Sequence, residues 1–411
     1  MENFDVIVIG GGPGGLAAAT EASMNAKVLL IEREKKLGGI LKQCIHDGFG
    51  VTRFGEKLSG PEYAYREIEK VLQTNVTILK ETFVTDIKHG EKETIVTFVN
   101  NKGVTKVSCQ KLILATGCRE RTSKQINIHG TNPTGVMTAG QAQYYINIMG
   151  KMPCKKCVIL GSGDIGLIMA RRLVLEGAEV EGVYEAKPTP SGLSRNIAQC
   201  LTDFDIPLHL SHTVTRVFGV DRLEAVEISK VDERMRPIKG TEKIVPCDSL
   251  ILSVGLIPEN ELAKMVHVPL NPFTKGPFVD QTFETLVDGV YSCGNAMHVN
   301  DLADYVSESG EIAGEAASSK EERKERQLEK VNIDEHFGYV VPSHIDFSKK
   351  TTKMTFYFRA RDEYRNKVLK VTQGDKVIFK RMFPNLRPPE MQKIALTVEE
   401  RGEIKFTLED K

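Results

Sequence analysis

A strand-like run that stops on closely spaced glycines restricts a chain to few folds, and this sequence contains two such runs. Residues 5–15, DVIVIGGGPGG, pass directly from β-branched residues into Gly10, Gly12 and Gly15. An alanine-rich helical stretch (16–23) comes next, and a second apolar run (27–31) ends on Glu32, 22 residues after Gly10. Strand, turn, helix, strand and acid in this register form a βαβ unit with the dinucleotide fingerprint. The glycines allow a tight turn and close approach to a pyrophosphate, the helix N-terminus faces it, and Glu32 is placed to bind ribose hydroxyls. The pattern recurs at 157–185: CVIL leads into Gly161, Gly163 and Gly166 (GSGDIG), then a helical stretch and a strand ending on Glu185, 24 residues after Gly161. An internal duplication of this kind predicts two nucleotide sites in one chain.

Two further strand-to-glycine segments, KLILATG (111–117) and SLILSVG (249–255), read as buried parallel strands, each closing a nucleotide-binding half. A third, GVYSCGN (289–295), precedes a helix rich in small residues. The expected fold class is therefore α/β, with two Rossmann-like dinucleotide-binding domains, the second inserted in the first, plus a small C-terminal all-β domain. Expected boundaries are 1–120 with 249–320 for the first domain and 121–248 for the second. The charged run near 318–330 reads as a solvated helix end or linker, placed at 321–335. Alternating segments at 353–358, 367–371, 376–379, 394–398 and 404–408 mark the β domain over 336–411, with a turn at Gln373-Gly374-Asp375.

Fifty-five basic residues balance fifty-five acidic ones, which argues against nucleic-acid binding through bulk charge. No apolar run approaches the ~18 residues of a membrane span, and the first strand begins too early to leave room for a signal peptide. Eight cysteines scattered through a long chain suggest thiols in a reducing, cytoplasmic compartment. Only Cys154 and Cys157 form a CxxC pair, and no second such pair exists to complete a zinc site, so no metal is expected.

Over residues 1 to about 320, GGGPGG with Glu32, Leu37-Gly38-Gly39, ATG at 115–117, GSGDIG with Glu185, and GVYSCGN together resemble the FAD/NAD(P)-dependent pyridine nucleotide oxidoreductase superfamily of glutathione- and thioredoxin-reductase type. Segments 38–50, 135–143 and 250–262 are similar to flavoprotein subunits of dehydrogenase complexes. These include the opine oxidase, hydrogen cyanide synthase and sarcosine oxidase alpha type, and the oxidoreductase that accompanies anaerobic glycerol-3-phosphate dehydrogenase. The resemblance implies FAD on the first fingerprint and NAD(H) on the second. Candidate cofactor-binding residues are Gly10, Gly12, Pro13, Gly14, Gly15, Glu32, Arg33, Gly39, Ala115, Thr116 and Gly117. They continue with Gly161, Gly163, Asp164, Ile165, Gly166, Glu185, Gly255, Gly294, Asn295, Leu302 and Ala303. Glu185 favours NAD over NADP because a carboxylate repels a 2′-phosphate. Implied partners are a small iron–sulfur protein and a dehydrogenase subunit; nucleic acid is not expected, and a homo-oligomer stays open.

The departures from the superfamily bear on mechanism. Dithiol reductases need two cysteines beside the flavin, whereas after Gly39 this chain has only Cys44. The Cys154/Cys157 pair lies closer to the second fingerprint than the pair of thioredoxin reductases. Asn295 stands where relatives place an Asp that holds the ribityl chain, and the helix beginning near 301–305 points backbone N–H groups of Leu302 and Ala303 at the flavin. Cys44 and His46, which relatives' geometry brings to the flavin, are candidate catalytic residues, by thiol redox and proton relay, or else shape the pocket wall. Three readings follow. The first is an FAD-dependent oxidoreductase moving hydride between NAD(H) and FAD and passing electrons to a partner. The second is an NADH oxidase or peroxidase using Cys44, and the third a regulatory, NAD-sensing flavoprotein.

Overall fold

The computed structural model describes all residues except 322–323, 350–352 and 399–400. The chain forms two compact units, Met1–Cys118 with Pro258–Lys411, and Arg119–Ile257.

The first unit opens with β1 (Glu2–Ile9), α1 (Pro13–Ala22) and β2 (Val28–Ile31). It continues with α2 (Gly60–Leu72), β3 (Thr77–Leu79), β4 (Phe83–His89), β5 (Thr94–Asn100) and β6 (Gly103–Leu114). The sheet order is β3-β2-β1-β6-β5-β4. Strand β1 pairs in parallel with β2 and with the second half of β6, in the expected register of a βαβ unit. β2 is buried along its whole length, as strands covered on both faces are.

The second unit contains β7 (Val136–Thr138), α3 (Ala139–Asn147), β8 (Lys156–Leu160), α4 (Asp164–Leu175), β9 (Glu179–Glu185), β10 (Leu208–Leu210) and β11 (Ser249–Leu252). These strands make an all-parallel sheet, β7-β11-β8-β9-β10. Because β11 hydrogen-bonds β7 and β8, residues 249–257 belong to this unit; the expected return to the first domain at 249 falls instead at Pro258.

After the return, β12 (Val290–Ser292) joins β6 in parallel, and α5 (Ala303–Ala317) packs on α1. The β domain follows as β13 (Leu328–Ile333), β14 (Phe337–Val341), β15 (His344–Asp346), β16 (Lys353–Ala360), β17 (Tyr364–Gln373), β18 (Lys376–Leu386), β19 (Gln392–Thr397) and β20 (Ile404–Asp410). Its two sheets, β15-β13-β20-β17-β18 and β14-β16-β19, enclose an aromatic core in which Phe358 meets Phe337 and Phe383 at 5.4 and 5.8 Å.

The expected linker at 321–335 is corrected by this arrangement. Strand β13 begins at Leu328, and Arg326 is half-buried with its side chain turned inward, although Lys324, Glu325 and Gln327 are exposed. Its guanidinium reaches Asp280 at 2.9 Å, Asp346 at 3.4 Å and the Thr285 carbonyl at 2.7 Å. Lys349 adds contacts to Asp280 at 2.6 Å and Glu284 at 2.8 Å. Val341, Tyr357 and Met391 also enter the apolar core that α1 and α5 build, so the β domain shares a core with the first nucleotide fold. No helix among the described residues is long and apolar enough to cross a membrane.

Removing one partner of a buried ion network leaves the others uncompensated. Arg326→Met is expected to destabilise the first unit by about 3 kcal/mol in chemical denaturation, whereas Lys27→Ala, at the exposed pair with Glu2, should leave the midpoint in place.

Candidate functional site

The 10–15 turn forms because β1 must pass its chain over the end of β6. Gly10 has φ +110°, and a Cβ there would lie 2.3 Å from the Ala115 carbonyl oxygen. Pro13 opens α1 in its first turn, with Gly12 at the N-cap, and no side chain caps the helix. Gly39 packs on Gly12, where its Cβ position lies 3.0 Å from the Gly12 Cα. Glu32 is buried, and its two oxygens accept the Gly11 and Glu34 N–H groups at 2.6 and 2.7 Å. That leaves further lone pairs for hydroxyl donors. Thr116 donates to the Glu259 carbonyl at 2.6 Å, Gly117 accepts from the Glu259 N–H at 2.9 Å, and Arg33 pairs with the Glu259 side chain at 3.3 Å.

The second unit repeats this construction. Gly161 has φ +96°, and its Cβ position lies 2.2 Å from the Ser253 carbonyl oxygen, the counterpart of Ala115. Helix α4, with Gly163 at its N-cap, again has no side-chain cap. Gly166 donates its N–H to Ser253 Oγ at 3.0 Å. Buried Glu185 accepts Ser162 N–H and Oγ at 3.0 and 2.6 Å, Ser191 Oγ at 3.1 Å and the Lys187 N–H at 3.1 Å. Asp164 turns into its own neighbourhood, accepting from Leu193 N–H and Asn196 Nδ2 at 2.9 and 2.7 Å, and Ile165 packs beside the core. Gly255 accepts from the Arg121 N–H at 3.1 Å.

Helices α2 and α3 begin at Ser59 and Thr138, whose side chains accept first-turn N–H groups. Helices α1, α4 and α5 begin at Gly12, Gly163 and Leu302 with no cap from those residues, although Ser253 Oγ takes the Gly166 N–H of α4, and the short helices Ser194–Cys200 and Glu261–Met265 also lack a side-chain cap. The N–H groups of a helix's first turn need acceptors, and an anionic ligand supplies them. The residues present thus fit a pyrophosphate at both glycine turns.

Before α5, Gly294 donates its N–H to Ser309 Oγ at 2.8 Å. Asn295 closes the turn by accepting the Asn300 N–H at 3.0 Å. His298 is buried against Tyr339 and Tyr357, with ring centroids 5.9 and 5.3 Å apart. Among the described residues neither of its ring nitrogens has a hydrogen-bond partner, and the Oδ1 atoms of Asn260 and Asn300 are likewise buried and unpaired. Burial, helped by the Arg359 charge, pushes His298 down to about 3, so the ring is neutral.

Sequence reasoning missed the contact that brings the Cys44 loop to α5. Asp304 is buried in the first turn of α5 and accepts N–H groups of Gly50, Thr52 and Arg53 at 3.0, 2.8 and 3.1 Å. Arg53 pairs with buried Glu67 at 2.9 Å and Glu311 at 2.6 Å, and Tyr63 donates to Ser307 Oγ at 2.9 Å. Cys44 accordingly sits half-buried; its thiol donates to the Ile40 carbonyl at 3.4 Å, and burial pushes it up to about 12. His46 lies half-buried against Phe49 with its Nδ1 3.1 Å from the Asp47 carbonyl. Of the expected residues, the structure gathers those of the first fingerprint, Gly39, the 115–117 segment, Gly294 and Asn295 in the first unit. Gly161, Gly163, Asp164, Ile165, Gly166, Glu185 and Gly255 lie in the second.

Comparison with known proteins agrees with this geometry. Residues 4–317 match the family model for pyridine nucleotide-disulphide oxidoreductases. An opine oxidase subunit of Agrobacterium tumefaciens (strain Ach5) is 26% identical over 335 residues, which cover 76% of this chain and 65% of that protein. The chain thus spans somewhat under two thirds of that relative's length. Ferredoxin–NADP reductase 1 of Lysinibacillus sphaericus (strain C3-41) is 25% identical, with 86% of this chain and 97% of that protein aligned. Among solved structures, thioredoxin reductase of T. acidophilum superposes with a TM-score of 0.63 at 21% identity, covering 77% of this chain and 98% of that one. This last likeness concerns the fold.

Two outcomes test the site. At pH 8, where an ordinary cysteine is partly thiolate, Cys44 should alkylate at least about a hundredfold more slowly than a cysteine peptide, as read by mass spectrometry of peptides from the holoprotein. His298 titrates below its ordinary 6.5, so the unfolded chain takes up a proton that the folded chain refuses. Stability should therefore fall as pH drops from about 6.5 towards about 3. His298→Phe should flatten that part of the slope, and equal slopes in both proteins would contradict the assignment.

Proposed function

We propose that this chain, which belongs to the pyridine nucleotide-disulphide oxidoreductase family, holds FAD on the 10–15 turn and NAD(H) on the 161–166 turn, and passes electrons to a separate redox protein. It is a flavin-dependent pyridine nucleotide oxidoreductase, and the family's cofactors are FAD and NAD(P). The observation that carries the fuller reading is the pairing, in each unit, of an uncapped helix N-terminus with a buried acid at the end of the second strand.

FAD, when bound, supplies the two-electron acceptor for a nicotinamide hydride and the carrier for onward transfer. The protein's residues do the rest. N–H groups at the starts of α1 and α4 bind pyrophosphate oxygens, and Glu32 and Glu185 accept from ribose hydroxyls. The uncapped start of α5, at Leu302 and Ala303, stabilises negative charge near the 294–301 turn. Asn295 keeps that turn closed without adding charge. Asp304 ties the 50–53 segment, which follows Cys44 and His46, to the same helix end.

A protonated Cys44 supports a wall role over a thiolate nucleophile. That favours electron delivery to a partner over the peroxidase reading. The likenesses to one subunit of an opine oxidase and to a ferredoxin–NADP reductase point the same way, and a dehydrogenase subunit or small iron–sulfur protein is the partner class we favour. Glu185 supports NAD(H), since its buried carboxylate would repel a 2′-phosphate. A reducing, cytoplasmic setting suits eight thiols.

Anaerobic stopped-flow mixing of holoprotein with NADH should bleach the flavin absorbance rapidly; no reduction within minutes by NADH or NADPH would refute the reading. Glu185→Ser should weaken NADH binding about tenfold, the loss of one charge-assisted hydrogen bond, and weaken NADPH binding less. Cys44→Ser should leave the reduction rate within about twofold; abolition would restore the thiol mechanism.

A further inference from the structure

The β domain ends its larger sheet on an open strand. β18 pairs with β17 on one side, from Gln373–Lys376 at the hairpin to Tyr364–Leu386, and no described strand pairs with its other side. Pro384, which has no N–H to donate, lies within β18, as proline does on edge strands. The smaller sheet likewise ends on β19. Between these two edges lies a groove of about 460 Å³, lined by Phe379, Lys380, Arg381, Lys393, Ile394 and Ala395.

Charge says what this edge accepts. β18 reads KVIFKRMFPNL, with three basic residues and no acid. Lys376, Lys380 and Arg381 are exposed, and among the described residues none has an ion-pair partner. The neighbouring lysines of β17 are instead neutralised, Lys367 by Asp410 at 2.8 Å and Lys370 by Glu409 at 3.1 Å. In a chain of zero formal net charge, three unpaired cations along one open edge are a local surplus. Lysines on an edge deter pairing with a like strand, because identical edges would face each other with the same charge. The same lysines favour an acidic strand, whose carboxylates would meet them while its backbone satisfies the open N–H and C=O groups.

We infer that β18 is a docking edge that takes an extended acidic segment of a partner protein as an added strand in the β18–β19 groove. This goes beyond the redox reading and does not depend on it. The segment's backbone pairs with β18, its carboxylates reach Lys376, Lys380 and Arg381 from both faces of the added strand, and its apolar residues cover exposed Val377 and Met382.

The test uses the holoprotein and a labelled ten-residue peptide of alternating Glu-Glu and Val-Val pairs, which puts carboxylates on both faces of the strand, followed by fluorescence anisotropy. Saturable binding is expected. It should weaken about tenfold in 0.5 M salt and about tenfold in the double variant K380E/R381E. A peptide N-methylated at alternate residues keeps its charge but cannot pair as a strand, and it should not bind. Far-UV circular dichroism and the thermal unfolding midpoint should be the same in the variant, showing that it is folded. Absent binding, binding indifferent to the double variant, or equal binding of the N-methylated peptide would overturn the inference. So would equal binding of a ten-nucleotide thymidine strand, or self-association that the double variant abolishes, which would assign the edge to nucleic acid or to a second copy.

Discussion

Helix α5 lies against α1 at backbone distance, and the first unit is organised around that contact. A Cβ on Gly310 would sit 2.1 Å from the Gly14 carbonyl oxygen, and one on Gly314 would sit 2.4 Å from that of Ala18. No larger residue leaves the two helices where they are. Once placed, α5 is used on every side: Asp304 and Glu311 reach the 50–53 loop, Ser307 meets Tyr63, and Ser309 holds Gly294. Glu308 accepts from Tyr357 at 2.9 Å and pairs with Lys393 at 2.5 Å, which ties the β domain to the same helix. A helix so constrained keeps its N-terminus in one place, as an electrostatic device must.

The buried acids among the described residues meet two kinds of partner. Glu32 and Asp304 accept backbone N–H groups, and Glu185 accepts two backbone N–H groups and two hydroxyls, with no cation among these partners. Asp280 and Asp346 are completely buried and instead share Arg326. The difference follows from what each acid does. One held by N–H groups keeps lone pairs for a neutral hydroxyl, while one bound to Arg has spent them on structure. Both nucleotide-fingerprint acids are of the first kind, which is why a chain with no net charge can still serve anionic ligands through helix ends.

How much of this was readable from the sequence depended on distance along the chain. Each fingerprint lies within about thirty residues, and the strand, glycine and acid positions are coupled by local geometry, so the duplication and the α/β class were visible at once. Asp304 with residues 50–53, Arg326 with Asp280, and Glu308 with Lys393 are separated by 46 to 254 positions, and no periodicity announces such pairs. The charged stretch before β13 shows the failure most clearly. Composition made Arg326 look solvated, yet the 280–288 segment and Asp346 of β15 hold its guanidinium. Residue 249 was misplaced for a related reason: KLILATG and SLILSVG look alike because the units are duplicated, and only pairing to β8 shows which sheet the second one joins.

The β domain also reads differently once its contacts are counted in. By itself it is a small aromatic sandwich, with Asp334, Glu335 and His336 grouped on the turn before β14. Its Tyr339, Tyr357 and Arg359 nevertheless cover the 294–301 turn, and Arg359 pairs with Asp301 and donates to the Val299 carbonyl at 3.2 Å. Covering that turn excludes water from its surroundings, and the depression of His298 registers how far. In a medium of lower polarity each uncompensated dipole acts more strongly. The domain therefore shields the start of α5 from solvent, and the cation it brings there, Arg359, is paired with Asp301.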